Sequence, residues 1–164
     1  MKALFIGGIK SGKSINAEMY ALKHSFEKPV YLATNEFFDD EMKERVKKHQ
    51  EQRSSKFKTI EEPLELFNSI NKTDSLVLVE CISMWINNML HHGYSEEAMI
   101  KEIEALSSLP NEIVFVINDV SCSVVSENAL VRKFVDINGR ISQLLASKCS
   151  EVYNTTAGIS VRIK

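Results

Sequence analysis

Eight residues near the start, Gly7-Gly8-Ile9-Lys10-Ser11-Gly12-Lys13-Ser14, satisfy the pattern G-x-x-x-x-G-K-[ST] at every fixed position. The chemistry that needs this spacing is the holding of a polyphosphate. Glycines let backbone N–H groups curl around phosphate oxygens, Lys13 can reach the β- and γ-phosphates, and the Ser14 hydroxyl can meet Mg²⁺. A second phosphate-site element stands at Leu76-Val77-Leu78-Val79-Glu80, an apolar run with a carboxylate at its end. Read alone, Glu80 is a turn residue or a metal-assisting one. Beside a complete phosphate loop, it fits the position that assists Mg²⁺ or its waters.

A third group is less ordinary. Arg45, His49 and Arg53 are spaced i, i+4, i+8 in a charge-rich stretch from Asp39 to Arg53. On a helix they share one face. Two cations beside an imidazole would neutralise phosphate oxygens and disfavour the imidazolium, leaving a nitrogen lone pair for attack on phosphorus. Spacing alone leaves two readings open, a nucleophile and a surface histidine on a polar helix. The stretch has only Met42 and Val46 as apolar residues, so such a helix lies on a rim, across a cleft or against another subunit. His24, His91 and His92 lack this setting and read as solvent-facing or structural.

These residues need elements to position them. Ala3–Ile6, Val30–Ala33, Leu76–Val79 and Ile113–Ile117 read as buried strands, each followed by helical pattern. The alternation predicts an α/β sandwich with a mainly parallel sheet. Glu151–Thr155 and Ile159–Ile163, around Ala157-Gly158, predict a terminal hairpin. Pro29, Pro63 and Pro110 each fall at an expected element boundary. With 164 residues, 44% hydrophobic and 26% charged, one domain spanning 1–164 is the expectation.

The order of motifs resembles the bifunctional adenosylcobinamide kinase/adenosylcobinamide-phosphate guanylyltransferase family. The likeness is carried by Gly7 to Ser14, Tyr31-Leu32-Ala33-Thr34, Asp39-Asp40-Glu41-Met42, Arg45-Val46-x-x-His49 and Arg53. It continues through Leu78-Val79-Glu80-Cys81-Ile82, Asn88-Met89-Leu90, Glu127-Asn128, Arg132-x-Phe134-x-Asp136, Asn138-Gly139-Arg140 and Gly158-Ile159-x-Val161-x-Ile163-Lys164. The resemblance implies a P-loop NTPase-type three-layer α/β sandwich with a C-terminal antiparallel hairpin. It implies two reactions in cobalamin biosynthesis. ATP or GTP phosphorylates adenosylcobinamide, and GMP from GTP is then transferred, through a guanylyl group on His49, to give adenosylcobinamide-GDP.

By the same resemblance, Lys13 and Glu80 act with His49 in catalysis, and Ser14 and Glu80 meet Mg²⁺. Gly7, Gly8, Ile9, Lys10, Ser11, Gly12, Lys13 and Ser14 hold the triphosphate. Ala33, Thr34 and Asn35 line the nucleotide, Gln50, Glu51, Gln52 and Arg53 flank the modified histidine, and Glu61 is a further acidic site position. A homotrimer is also implied. The chain departs from the family after the fourth of those strands. Where the family usually reads Asn-Glu-Val-Gly-x-Gly-Ile-Val-Pro, this chain has Asn118-Asp119-Val120-Ser121-Cys122-Ser123-Val124-Val125-Ser126, which predicts a loop of another shape.

Charge and composition set limits on partners. A formal net charge of −2 supplies no overall positive field for nucleic acid. No apolar run approaches the roughly 18 residues of a membrane span. Cys81, Cys122 and Cys149 are widely spaced and odd in number, unlike a disulfide framework, and the cytoplasm is the expected compartment. Two other readings of the motifs remain: a P-loop kinase of another small alcohol, and a nucleotide-binding module without chemistry.

Overall fold

Apolar runs of four to six residues are stable as strands only when both faces are covered, so helices must pack on both sides of the sheet they form. The computed structural model describes residues 1–36, 55–121 and 125–164. In chain order the elements are β1 (Lys2–Gly7), α1 (Lys13–His24), β2 (Val30–Ala33), β3 (Lys58–Glu61), α2 (Leu66–Ile70), β4 (Val77–Glu80), α3 (Ile82–His91), α4 (Glu96–Ser108), β5 (Ile113–Asn118), α5 (Ala129–Lys148), β6 (Glu151–Thr156) and β7 (Ile159–Arg162). The strands form one sheet in the order β3-β2-β4-β5-β1-β6-β7. All neighbours are parallel except β6 and β7, which pair antiparallel.

Successive strand residues point to opposite faces, and the core divides accordingly. Ala3, Phe5, Tyr31, Leu78, Val114 and Val116 face the side covered by α1 through Ala17 and Ala21. Leu4, Leu32, Val79, Phe115 and Ile117 face the other side, where Leu66, Trp85, Ile86, Met99, Ile103, Ile137, Ile141 and Leu145 from the remaining helices complete a larger core. The three-layer arrangement and parallel sheet expected from the apolar runs are therefore present. β3 was not anticipated as a strand. Its sequence Lys-Thr-Ile-Glu forms the sheet's edge, with Lys58 and Glu61 exposed and Thr59 and Ile60 half-buried, so the strand carries no continuous apolar run.

Two helix starts carry ordinary side-chain caps. Ser95 Oγ accepts the Ala98 N–H at the start of α4, and Asn128 Oδ1 accepts the N–H groups of Leu130 and Val131 at the start of α5. The N-cap of α1 is Gly12, with φ +93° and no capping side chain among the described residues. Of the donors at that end, the Lys13 N–H meets the Ser11 hydroxyl oxygen within the loop at 3.4 Å. Among the described residues, no helix is long and apolar enough to cross a membrane.

The hairpin turn has two central residues in the left-handed region, Ala157 at φ +51° and Gly158 at φ +82°, between the paired Thr156 and Ile159. Such a turn follows the right-handed twist of its strands, and an alanine there carries a steric cost that asparagine tolerates better. Ala157 is exposed, so the substitution disturbs no packing. Ala157→Asn is expected to stabilise the protein by about 0.5–1 kcal/mol in urea unfolding at an unchanged slope.

Candidate functional site

The sheet's carboxyl edge gathers the chemistry. β1 delivers the phosphate loop, whose Ser11 N–H donates to the Gly8 carbonyl at 3.2 Å and whose Gly12 carbonyl accepts from the Asn16 N–H at 3.1 Å. The turn requires left-handed backbone at Lys10, φ +57°, as well as at Gly12. Gly7 is glycine for a different reason: a Cβ there would lie 2.4 Å from the Thr155 carbonyl oxygen on β6. Lys13 is buried, and its Nζ donates to the Gly8 carbonyl at 3.1 Å, so the ammonium stands across the mouth of the loop. An uncapped helix start with an ammonium and no carboxylate in its first turn is an anion site.

Glu80 arrives from β4. Ser14 Oγ donates to Glu80 Oε1 at 2.7 Å, joining two residues 66 positions apart. In the sheet, Ala33 is the register partner of both Glu80 on β4 and Glu61 on β3, so the two carboxylates flank β2 on one rung. Glu80 is partly buried and Glu61 exposed. Thr34, fully buried, fixes this rung. Its Oγ1 donates to the Cys81 carbonyl and accepts the Cys81 N–H, both at 2.9 Å. Asn88 on α3 then donates to the Thr34 carbonyl at 2.6 Å and to the Pro63 carbonyl at 3.1 Å, tying β2 to the segment after β3.

A similar knot holds the end of β5. Ser83 Oγ accepts the Asn118 N–H at 2.9 Å and donates to Asn138 Oδ1 at 2.7 Å, while Asn138 Nδ2 donates to the Asn118 carbonyl at 3.0 Å. The next residue, Asp119, donates its N–H to the Gly7 carbonyl at 2.9 Å. Asp119 Oδ1 accepts both the N–H and the hydroxyl of Ser121, at 3.0 and 2.5 Å. Arg132 holds the far side of this loop by donating to the carbonyls of Ser126 and Glu127, each at 2.8 Å. Arg140 pairs with Glu96, joining α5 to α4.

Gly7 to Ser14, Ala33, Thr34, Glu61 and Glu80 thus meet at one edge, and Asn35 directly follows Thr34. His49, Gln50, Glu51, Gln52 and Arg53, with the helix expected from Asp39 to Arg53, lie outside the described residues, as does Cys122. Of the remaining histidines, which read as solvent-facing or structural, His91 and His92 are exposed and His24 is half-buried. His24 stacks on Tyr20 with ring centroids 4.0 Å apart, and His92 Nε2 lies 2.9 Å from Glu36 Oε2. Burial, then the neighbouring Glu80 charge, pushes the Cys81 thiol up to about 12, and burial does the same for Cys149. Neither is a nucleophile at neutral pH. Sequence reasoning missed Asn88, Ser83 and Asn138 as supports. Asn88 carried a signal, since helical spacing puts it on the face of Trp85 and Met89.

Comparison with known proteins places this edge in a family. A family model described as cobinamide kinase / cobinamide phosphate guanyltransferase matches residues 3–163. The bifunctional adenosylcobalamin biosynthesis protein CobU of Escherichia coli (strain K12) is 33% identical and that of Salmonella typhimurium 34%, each over the whole of both chains. The bifunctional adenosylcobalamin biosynthesis protein CobP of Pseudomonas aeruginosa is 32% identical over all of this chain and 98% of its own. Among solved structures, the flagellar accessory protein FlaH of Methanocaldococcus jannaschii superposes with TM-score 0.51 at 12% identity, covering 98% of this chain and 75% of that one. The KaiC-like protein PH0186 of Pyrococcus horikoshii gives TM-score 0.51 at 10% identity, covering 93% and 69%. At such identity the likeness establishes the fold, the P-loop type of α/β sheet.

The Thr34 knot has a measurable consequence. Thr34→Val keeps the shape but leaves the Cys81 N–H without its buried acceptor, while the Cys81 carbonyl keeps the Trp85 N–H at 3.1 Å. The expected loss is about 2–3 kcal/mol in chemical unfolding, above that of an ordinary surface substitution.

Proposed function

The chain belongs to the cobinamide kinase / cobinamide phosphate guanyltransferase family, and on that premise we propose that it phosphorylates adenosylcobinamide and then guanylylates the product. The observation that carries the kinase half is the Ser14–Glu80 contact beside the Lys13 ammonium. In that half the acceptor hydroxyl forms a bond to the γ-phosphorus of ATP or GTP, the bond to the β,γ-bridging oxygen breaks, and the hydroxyl proton is released. Residues 7–14 hold the phosphates, and Lys13 meets the negative charge that builds on them. Ala33, Thr34, Asn35 and Glu61 line the nucleotide. The Ser14 hydroxyl and Glu80 carboxylate are oxygen donors of the kind Mg²⁺ takes, and the ion, when bound, would neutralise charge on the β- and γ-phosphates.

In the guanylyl half, a His49 nitrogen bonds to the α-phosphorus of GTP and pyrophosphate leaves. A phosphate oxygen of adenosylcobinamide phosphate then takes the α-phosphorus, freeing the histidine and giving adenosylcobinamide-GDP. Such double displacement divides one difficult transfer into two. Gln50, Glu51, Gln52 and Arg53 flank the histidine. The protein works as a single domain, in a homotrimer, in the cytoplasm.

Two measurements test these halves separately. GTP radiolabelled at the α-phosphate, with Mg²⁺, should leave an acid-labile, alkali-stable label on the wild type and none on His49→Ala, which still phosphorylates adenosylcobinamide. An unlabelled wild type that is folded and binds GTP would remove the guanylyltransferase reading. Glu80→Gln keeps the side-chain shape and removes its charge. Its kinase kcat should fall on the order of 100-fold, with the Mg²⁺ concentration for half-maximal rate raised.

A further inference from the structure

The C-terminal hairpin touches the phosphate loop directly, backbone against backbone. Gly158 N–H donates to the Ser11 carbonyl at 2.7 Å. The Asn16 side-chain amide, in the first turn of α1, donates to the Gly12 carbonyl at 3.1 Å and to the Gly158 carbonyl at 3.0 Å. A Cβ on Gly12 would stand 2.9 Å from Gly158 Cα, so a side chain at Gly12 has no room against the turn. These contacts involve neither Lys13, Ser14 nor Glu80.

Their effect follows from peptide planarity. The peptide units Ser11–Gly12 and Gly12–Lys13 are trans, so each C=O points opposite to the N–H of the same unit. Holding the Ser11 carbonyl on Gly158 therefore turns the Gly12 N–H away from the hairpin. Holding the Gly12 carbonyl with the Asn16 side chain and main-chain N–H likewise sets the direction of the Lys13 N–H, whose partner is Ser11 Oγ at a long 3.4 Å, a contact that a phosphate oxygen would replace. Donors aimed before the ligand arrives bind it without the ordering cost that a mobile loop would carry.

We propose that Asn16 and the Ala157-Gly158 turn form a clamp that aims the Gly12 and Lys13 N–H groups at the phosphates of the bound nucleoside triphosphate, with Asn16 as its positioning residue. The clamp rests on nucleotide binding at this loop and is independent of the acceptor and of His49.

The test is Asn16→Ala, which leaves the Gly158 N–H and the Ser11 carbonyl in place. GTP binding by calorimetry should weaken about five- to tenfold. The KM for nucleotide in the kinase step should rise by the same factor, with kcat at saturating nucleotide within about twofold of wild type. A folded Asn16→Ala that binds GTP as tightly as wild type overturns the clamp. Where that variant does not fold, Gly158→Ala serves. Its Cβ meets no atom within 4 Å, so it acts only through the left-handed backbone at φ +82°, and weakened binding is again expected. Unchanged binding overturns the proposal here too. Val161→Thr, on the exposed face of β7, should bind GTP normally, and an equal loss there means general loosening of the hairpin and overturns it. A wild type that binds no GTP removes the proposed function and the clamp together, whereas normal wild-type binding with unaffected variants removes the clamp alone.

Discussion

The paired hydrogen bonds between Thr34 Oγ1 and the backbone of Cys81 are the constraint on which the site's geometry depends. A parallel strand that ends at a ligand-binding edge stops short of the ladder that would satisfy its last polar groups, and a buried N–H or C=O without a partner costs about 1–3 kcal/mol. Thr34 supplies both a donor and an acceptor to one residue, so a single side chain closes the gap between β2 and β4. Glu80 is the residue immediately before that closure. Its carboxylate can stand 2.7 Å from Ser14 Oγ because the strand end carrying it has nowhere else to go.

The same logic repeats across the edge with different side chains. Asn88 reaches up from α3 to the Thr34 carbonyl and Pro63, while Ser83 and Asn138 close the end of β5 from α3 and α5. Helices on the larger-core side thus carry two jobs. Their apolar faces hold the sheet, with Trp85 and Ile86 fully buried beside Asn88, and single polar residues within those faces hold strand ends. A buried amide in such a face lowers the gain from burial and is retained only with its partners in place. Residues between Arg132 and Arg140 that carry part of the resemblance fall largely into this supporting role. Arg132 steadies the loop after β5, Asn138 the strand end, and Arg140 the pairing of α5 with α4.

Much of this was readable from residue order, and the reasons differ by element. The four central strands announced themselves because burial on both faces leaves an unbroken apolar run, and the phosphate loop because its glycines and Lys13-Ser14 obey a fixed spacing. The hairpin was signalled by Ala157-Gly158. β3 gave no strand signal because an edge strand need not be apolar. The supports at Thr34, Ser83, Asn88 and Asn138 were unreadable as a set, since each pairs with backbone far along the chain and no periodicity links them. For the same reason the contact between Gly12 and Gly158, 146 positions apart, appears only once β6 is laid parallel to β1. Glu80 was named from its place at the end of an apolar run and Glu61 from resemblance, but their standing on one rung with Ala33 is a matter of register.

The loop after β5 shows how a departure from family pattern can be absorbed. Where relatives' usual pattern has glycines, this chain has Ser121 and Ser123, and where it has glutamate, Asp119. Glycine makes a turn by relaxing the backbone, whereas aspartate makes one by accepting hydrogen bonds from the residue two positions on. Asp119 does the latter, taking both the N–H and the hydroxyl of Ser121 on one carboxylate oxygen. A shorter acid suits that task better than glutamate, because one fewer methylene keeps the carboxylate within reach of its own loop. The exchange of glycine for Ser121 and of glutamate for Asp119 is therefore coherent as a pair. Meanwhile the Asp119 N–H still meets the Gly7 carbonyl, so the loop begins against the phosphate loop whatever side chains follow. The Ser14–Glu80 contact and the Thr34 and Asn88 bonds that support it are built from other residues altogether.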